Sequence, residues 1–554
     1  MRWNLAIGGQ ASPPLRSDAQ LNADCYPVTA LPHVSPLFRD YVSGNWEKLS
    51  AFYSDAAAAD GQWMLAPPAI EPAHRAAIVE LLRQQNRGFG AGSATESNLD
   101  RLAAGAAAVV TGQQVALFGG PLMTLMKAAT AIHLAGEASR AGHPHVPIFW
   151  LASEDHDFDE VNQATILCGK DITTLRLPQP SAPGKPVGDL PLGDAILPLL
   201  GELRRCLGEN SVTNLLSTLY TPTATFASAF GGLLSRIFSR YGLIVIDASA
   251  RAFHALSAST LRASIERADE IHAALIERTA ALEQAGYHAQ VMVGDSSSLL
   301  FLVNETSDAR EALKKIASDT WSAGSTRYTT AEVIAILDAA PERISPNALL
   351  RPVVQDTLLP TSAYIGGPAE VAYFAQSQVV YQRILGRATP VLPRYSATLI
   401  EPALARLLEQ HGLALPDVFT TSDALAHQLG ARAMPVEGKR KLSAAGNALH
   451  DELEVVTTWM RAQDEGLGHA ADIAASKMLY QMNRLRRLSA NFQLQRDQSL
   501  RRHADALCLN LFPNGNLQER VFAGVSFLAH NPSLIDLLVE QACTENCGHH
   551  ALYL

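Results

Sequence analysis

The sequence predicts an α/β protein with a parallel-sheet core followed by a long helical region. Three observations predict it. Residues 106–160 read as strand, glycine-rich loop, helix, strand and acidic loop, which is the order of a βαβ unit. Two more apolar runs, YGLIVID at 241–247 and SAYIGG at 362–367, have the character of strands buried on both faces. After about residue 400 glycine thins out, strands vanish and long helical periodicities take over.

The bulk properties bound the reading. A chain of 554 residues is too long for one ordinary core, so two or three domains are expected. We divide it into a core over 1–400, a helical coiled-coil region over 401–510, and a segment over 511–554 that returns to the core. Hydrophobic content of 47%, charged content of 18% and a mean hydropathy of +0.04 describe a globular protein. A net charge of -10 and a pI near 5.9 argue against a general nucleic-acid surface. No apolar run is long enough to span a bilayer, and MRWNLAIGGQASPP carries no signal-peptide core. The six cysteines show no disulfide-like spacing, so a reducing cytoplasm is expected.

Taken in order, Phe38, Tyr41, Trp46, Leu49 and Phe52 recur at helical spacing and predict one amphipathic helix with a core-facing aromatic stripe. A second helix spans 72–87. The GFGAG at 88–92 follows a helix instead of a strand, so it reads as a linker and not as a dinucleotide loop. Next comes AAAVVT (106–111), a loop, a helix over 122–142, and the strand VPIFWLA (146–152). QATILCG (163–169) predicts a short strand and LPQPSAPGKPVGDLP (177–191) an exposed loop; Cys168 reads as buried packing. Residues 251–285 predict one long helix, and 286–304 a β-pair turning at Gly294-Asp295. Segments 170–235 and 305–345 read as insertions, the second helical and loop-like. LLRPVV (349–354) predicts a short strand, a helix starts near Pro368, and PVLPRYSATL (390–399) predicts a further strand. Helical patterns over 442–463 and 467–508, broken at DEGLG, predict an antiparallel hairpin. Leu449, Leu453, Val456 and Met460 mark one seam; Ile473, Met478, Met482, Leu485, Leu488 and Phe492 mark the other. The final CTENCGHH reads as a disordered tail, with zinc ligation by Cys543, Cys547, His549 and His550 as the alternative.

The candidate site lies at the carboxyl ends of the first two core strands, where α/β sheets bind ligands. The loop TGQQVALFGGP is neither a Walker A nor a GxGxxG sequence. Gly112, Gly119 and Gly120 allow close backbone approach to a cofactor, Gln113 and Gln114 offer amides, and the following helix start suits a phosphate or carboxylate. Lys127, two turns into that helix, either reaches back to an anion or is solvated. In SEDHDFDE, the carboxylates Glu154, Asp155, Asp157, Asp159 and Glu160 surround His156. Such crowding asks for a cation, an amine or hydrogen bonds. His156 as general base oriented by Asp155 or Asp157, Mg²⁺ beside phosphates, or capture of a substrate ammonium all fit. Asp247 stands at a strand end. Arg351, Gln355, Asp356, Gly366, Gly367, Glu370 and Tyr373 repeat the strand-glycine-helix arrangement, and Arg394 is placed to clamp a carboxylate or phosphate. Gln518, Glu519 and Arg520 form either a small polar site or a turn.

TGQQVALFGGPLMTLMKA, VPIFWLASEDHDFDEVN, YGLIVID, SPNALLRPVVQDTLLPTSAYIGGPAEVAYF, PRYSATL and FPNGNLQER together resemble the bacillithiol biosynthesis cysteine-adding enzymes, the BshC family. The resemblance implies a Rossmann-like catalytic core with inserted connecting segments, and a C-terminal antiparallel coiled coil used for homodimerisation. It implies addition of L-cysteine to the amine of glucosaminyl malate, the last step of the pathway. The resemblance also implies a core similar to that of class I aminoacyl-tRNA synthetases and nucleotidylyltransferases, although recognisable HIGH and KMSKS signatures are missing from this sequence. Amide formation calls for carboxyl activation, so ATP or another nucleotide is expected, with Mg²⁺ as a candidate companion. In that chemistry Gln113, Gln114, Lys127 and Arg394 bind anionic groups, while Asp247, Gln355, Asp356 and Glu370 line the sugar or amino-acid pocket. A nucleotidyltransferase or phosphotransferase, and a noncatalytic scaffold, are the rival classes.

Overall fold

The computed structural model describes residues 24–53, 61–65, 68–180, 184–542 and 548–554. The chain forms two compact units, one holding Cys25–Ala397 and Glu519–His550, the other Thr398–Gln518 and Ala551–Leu554.

The first unit is organised on a parallel five-stranded sheet. Its strands are β1 (Ala107–Gln114), β2 (His145–Ala152), β3 (Ile244–Asp247), β4 (Thr361–Gly366) and β5 (Val391–Pro393), in the spatial order β5-β4-β1-β2-β3. One row of register runs Val391, Tyr364, Val110, Ile148, Ile244, and all five side chains are in the main core. Alternate residues turn to the other face. There Val109, Ala363 and Ile365 pack on Ala131, Leu134, Ala135 and Ala138 of helix α1 (Met123–Arg140). Burial on both faces explains why these strands are continuous apolar runs. The chain goes outward from β1 to β3, then returns to the opposite side of β1 with β4. That reversal puts the topological switch point between β1 and β4.

Between β2 and β3 lie the hairpin Gln163–Cys168/Asp171–Arg176 and the helices Ile196–Leu207, Ser211–Leu219 and Phe226–Ile237. Cys168 is disulfide-bonded to Cys206, and Cys25 is also in a disulfide. Cys168 is therefore not simple packing, and the cysteine argument for a reducing compartment loses its premise. Between β3 and β4 the chain builds a second, antiparallel five-stranded sheet. Its order is Thr326–Tyr328, Thr320–Ala323, Arg310–Ala317, Leu300–Val303, Ile344–Pro346. The segment 305–345 thus holds strands that the sequence reading lacks, as well as the helix Thr330–Ala339 that it expects.

Other expectations change for local reasons. The aromatic stripe is carried by two helices, Pro36–Val42 and Trp46–Leu49, because Gly44 turns the chain at a φ of 70°. The stripe is still core: Tyr41 meets Trp46 at 5.1 Å and Tyr53 at 4.7 Å between ring centroids. Residues 251–285 break at Arg267 into Arg251–Glu266 and Ala268–Gln284. No strand forms over 286–293. The Gln376 amide instead binds both the N–H and the carbonyl of Val291, at 2.9 Å each, in the place of a neighbouring strand. LLRPVV starts helix α2 (Arg351–Leu358), with Pro352 in its first turn and the Asn347 side chain accepting from Leu349 and Leu350. A short apolar run does not distinguish strand from helix, and proline suits a helix start better than a central strand. Helix α3 (Pro368–Ile384) follows β4. PVLPRYSATL is split into β5 and Ala397–Ile400 by Arg394–Ser396.

The second unit is helical. Val436–Gln463 and Glu465–Arg496 form an antiparallel hairpin, reversed at Asp464, whose side chain accepts from the Leu467 N–H at 2.9 Å. Arg461 pairs with Asp472 near the bend, and Arg486 donates to the Leu442 carbonyl further along. Met482 is buried, but Val456, Ile473, Met478, Leu485, Leu488 and Phe492 are exposed. The second predicted seam is therefore not covered by the first helix. The described part of the tail is ordered. Cys543 and Cys547 lie outside the described residues, but His549–Tyr553 is a strand, and the His550 N–H donates to the Ser396 carbonyl. Among the described residues no helix is long and apolar enough to cross a membrane.

Candidate active site

Two groups of polar side chains meet the carboxyl edge of the parallel sheet, and adjacent glutamines of β1 belong to one group each. The first group lies at the switch point between β1 and β4. Lys127 projects from α1 and is 4% exposed. Its Nζ donates to the Gly112 carbonyl and Gln113 Oε1 at 2.8 Å each, and pairs with Glu370 at 2.5 Å. Lys127 is thus neither solvated nor unpaired. Glu370 sits in the first turn of α3, as its sequence position predicts. It accepts from the Gly367 N–H at 2.7 Å and from the Tyr364 hydroxyl at 2.6 Å. Burial alone raises its pKa, but Lys127 and these donors outweigh burial and hold it below the ordinary value. Arg351 on α2 donates to Gln355 at 3.2 Å and to the hydroxyls of Tyr364 and Tyr373 at 3.2 and 3.0 Å.

Arg394 follows β5 and is buried. One guanidinium nitrogen binds Glu519 at 3.0 Å and the Tyr395 carbonyl at 2.7 Å, and a second also binds Glu519. Arg394 therefore does not serve as an open anion clamp, because its fork is closed on a carboxylate. Burial would raise the Glu519 pKa, but Arg394 drives it down to about 2. Ser396 and the Ala397 N–H also donate to Glu519. Burial pushes the neighbouring His549 down to about 4. Arg520, beside this pair, is exposed and has no hydrogen-bond or ion-pair partner among the described residues, within electrostatic reach of Arg394, Glu519 and Glu370. Asp356 is in a different setting. It lies in the interior with the Thr389 and Tyr381 hydroxyls and Arg387 around it, and the buried Gln355 donates to it at 3.2 Å. Neither Asp356 nor Gln355 lines an open pocket; both hold α2 in place.

The second group lies past β2 and β3. Gln114 donates to Asp155 at 2.7 Å and to Glu160 at 2.5 Å. Asp247, at the end of β3, accepts from the Ser153 hydroxyl at 2.5 Å and the Ser249 N–H at 3.2 Å. Burial raises its pKa against these donors. Asp189 is raised by burial and by the like charges of Asp247 and Glu154. The loop carrying it is tied to the acidic loop, since Val187 and Gly188 donate to the carbonyls of Asp155 and Ser153 at 2.7 and 2.8 Å. Glu154 pairs with the buried His254 at 2.8 Å.

His156 differs from expectation in its partner. Asp155 Oδ1 is 3.8 Å from His156 Nδ1, too far for a hydrogen bond, and accepts instead from the His156 N–H at 2.7 Å and the Asp157 N–H at 3.3 Å. Arg310 of the antiparallel sheet is the group at His156 Nδ1, 3.3 Å away. Asp157 is exposed and caps the short helix Phe158–Val161, so it does not orient the imidazole either. The start of α1 is likewise not open to a phosphate. The Leu122 N–H donates to the Phe522 carbonyl at 2.8 Å, that of Thr124 to Pro121 at 2.8 Å, and Gly524 donates back to Gly120. Gly112 permits close strand approach, since a Cβ would stand 2.8 Å from the Trp150 carbonyl. Gly119 and Gly120 adopt φ of 84° and 69° in the turn. Close strand packing accounts for the glycine at 112 and the turn for those at 119 and 120.

Local sequence reasoning passed over Arg310, His254, Tyr364 and Asp189. Arg310 and His254 are distant in sequence from the loops they touch, and nothing at their own positions marks them. Glu519 carried a usable signal, a carboxylate in the FPNGNLQER segment. Among the described residues no group of three or more His, Cys, Asp or Glu is arranged to hold a metal ion.

Residues 21–395 match the model of the bacillithiol biosynthesis BshC N-terminal Rossmann-like domain, and 397–554 that of the BshC C-terminal coiled-coil domain. A protein of Koribacter versatilis named "Putative cysteine ligase BshC" is 41% identical over 533 residues, 95% of this chain and 98% of its own length. Proteins of the same name from Solibacter usitatus and Salinibacter ruber are 36% and 31% identical, covering 95% and 93% of this chain and 99% and 93% of theirs. With a parallel sheet reversing at β1, a helical hairpin after it, and similarity along nearly its whole length, this chain belongs to the BshC family of bacillithiol biosynthesis.

Proposed function

We propose that this chain is a cysteine ligase, joining the carboxyl group of L-cysteine to the amine of glucosaminyl malate. The observation that carries this reading is the full-length similarity to proteins named as cysteine ligases. The site supports it through its division of charge. Asp247, Asp189 and Glu154 suit an amine that arrives as an ammonium, and Arg520 suits a substrate carboxylate. The ammonium first loses one proton to water; the amine nitrogen then forms a bond to the carboxyl carbon, the bond to the activated oxygen breaks with that oxygen leaving on the activating group, and the nitrogen loses its second proton. We assign that proton to Asp247, whose burial-raised pKa makes it a better base than an ordinary carboxylate. ATP or another nucleotide is our expected source of the activation. The apolar residues left exposed on the helical hairpin support a homodimer, with a second copy covering Ile473, Met478, Leu485, Leu488 and Phe492. Sedimentation should then give twice the chain mass, and Leu485→Glu with Leu488→Glu should return it to one.

The deciding experiment is mass spectrometry of purified protein with cysteine, glucosaminyl malate, Mg²⁺ and ATP, with each component omitted in turn. Bacillithiol formed only with cysteine supports the ligase. Phosphate or pyrophosphate released without any cysteine requirement points instead to a nucleotidyltransferase or phosphotransferase.

A further inference from the structure

Arg310 enters the site from outside the parallel sheet. It begins the strand Arg310–Ala317, and its side chain is engaged on every side. Nε donates to the Ser345 hydroxyl at 2.9 Å, and Nη2 to the Pro346 carbonyl at 2.8 Å. The guanidinium carbon is 3.8 Å from the centroid of the Phe301 ring. Nη1 is left, and it stands 3.3 Å from His156 Nδ1. A guanidinium has donors and no acceptor, so His156 Nδ1 must be the acceptor of this contact. The neutral imidazole then carries its proton on Nε2. A doubly protonated ring would set donor against donor and cation against cation. The other charged groups near this contact are Asp155, 3.8 Å from Nδ1, and Glu154, which with Asp155 favours the charge on Arg310. Phe301 closes the remaining side at 5.6 Å between ring centroids. The His156 side chain is 39% exposed, and no described residue hydrogen-bonds its Nε2.

We propose that His156 acts in the reaction as an Nε2–H hydrogen-bond donor to a substrate oxygen, and that Arg310 is the positioning residue that sets this tautomer. The oxygen served is the carboxyl oxygen of cysteine, which gains negative charge as the amine attacks its carbon. No proton leaves the ring; the amine proton goes to a carboxylate. This role rests on the ligase reading, whereas the tautomer does not.

Nitrogen-15 NMR of histidine-labelled protein tests the tautomer without turnover. The His156 signals are those missing from His156→Gln. We expect a protonated Nε2 and a bare Nδ1 in the wild type, a mixture of tautomers in Arg310→Gln, and the wild-type pattern in Arg310→Lys, which still donates. A proton on Nδ1 in the wild type overturns the proposal. Kinetics tests the role. Glutamine places an N–H near the Nε2 position and asparagine near Nδ1, so His156→Gln should keep at least tenfold more kcat than His156→Asn. His156→Ala should lose about 100-fold, the scale of one oxyanion donor. Asparagine matching or exceeding glutamine, or alanine with full turnover, overturns the role. If the wild type makes no bacillithiol at all, the ligase reading fails separately and the NMR result still decides the tautomer.

Discussion

The two sides of the carboxyl edge are built on opposite electrostatic plans. At the β1/β4 switch point buried charges are matched: Lys127 with Glu370, Arg394 with Glu519. Past β2 and β3 carboxylates are gathered with less opposing charge, and burial raises the pKa of Asp247 and Asp189. On the first side these pairs form a fixed frame, with the exposed Arg520 beside them. The second side retains electrostatic tension, which in the proposed ligase reading an incoming ammonium relieves. The proposed joining of an amine to a carboxyl would use both, a fixed frame and a group ready to take a proton.

Breaking the matched side should have the largest effect on stability. Glu519→Ala leaves the Arg394 guanidinium buried without its carboxylate, and we expect a loss of about 3–5 kcal/mol in urea unfolding. A loss below about 1 kcal/mol would mean that this side is not a matched lattice. The tense side should respond in the opposite way. Asp247→Asn is expected to lower turnover by about 100-fold, in the range of a general base, with no loss of stability. The sign follows from linkage. A carboxyl whose folded pKa is raised costs stability as pH rises from its unfolded value through the folded one, so removing the charge leaves the neutral-pH fold as stable or more so. A large drop in the unfolding midpoint would transfer Asp247 to the structural frame.

His254 sharpens the comparison, because it is the cation placed against the acidic loop. Burial lowers its pKa, but Glu154 outweighs burial and leaves it raised above 6.5. Its contribution is then fully present below pH 6.5 and is lost as pH rises through the higher folded value. The stability difference between wild type and Glu154→Gln should therefore shrink with rising pH over that window; a flat difference would mean His254 is neutral. The smallest effect is expected of Gln114→Ala. It removes hydrogen bonds to the partly exposed Asp155 and the exposed Glu160, for a change of about 1 kcal/mol or less in unfolding.

Much of the frame was legible because it is local. AAAVVT and VPIFWLA are strands, Pro368 opens a helix, and Glu370 lies in its first turn where the helix dipole favours a carboxylate. Failures came where a contact distant in sequence decides the local structure. Residues 286–293 look like a strand, but their would-be neighbour is the side-chain amide of Gln376. The imidazole of His156 stands next to Asp155 in sequence, yet the peptide groups of His156 and Asp157 take that carboxylate, and an arginine 154 positions away takes the ring.

The amino-acid sequence by itself determined the strands of the parallel sheet, the place of the polar clusters at strand ends, and the family. Each of these follows from periodicity, turn chemistry or motif order within short stretches. Tertiary structure alone decided which cations are neutralised, which carboxylates keep a raised pKa, and which nitrogen of His156 accepts. Those properties depend on distances of about 3 Å between groups brought together from separate strands and helices, and on the loss of water around them.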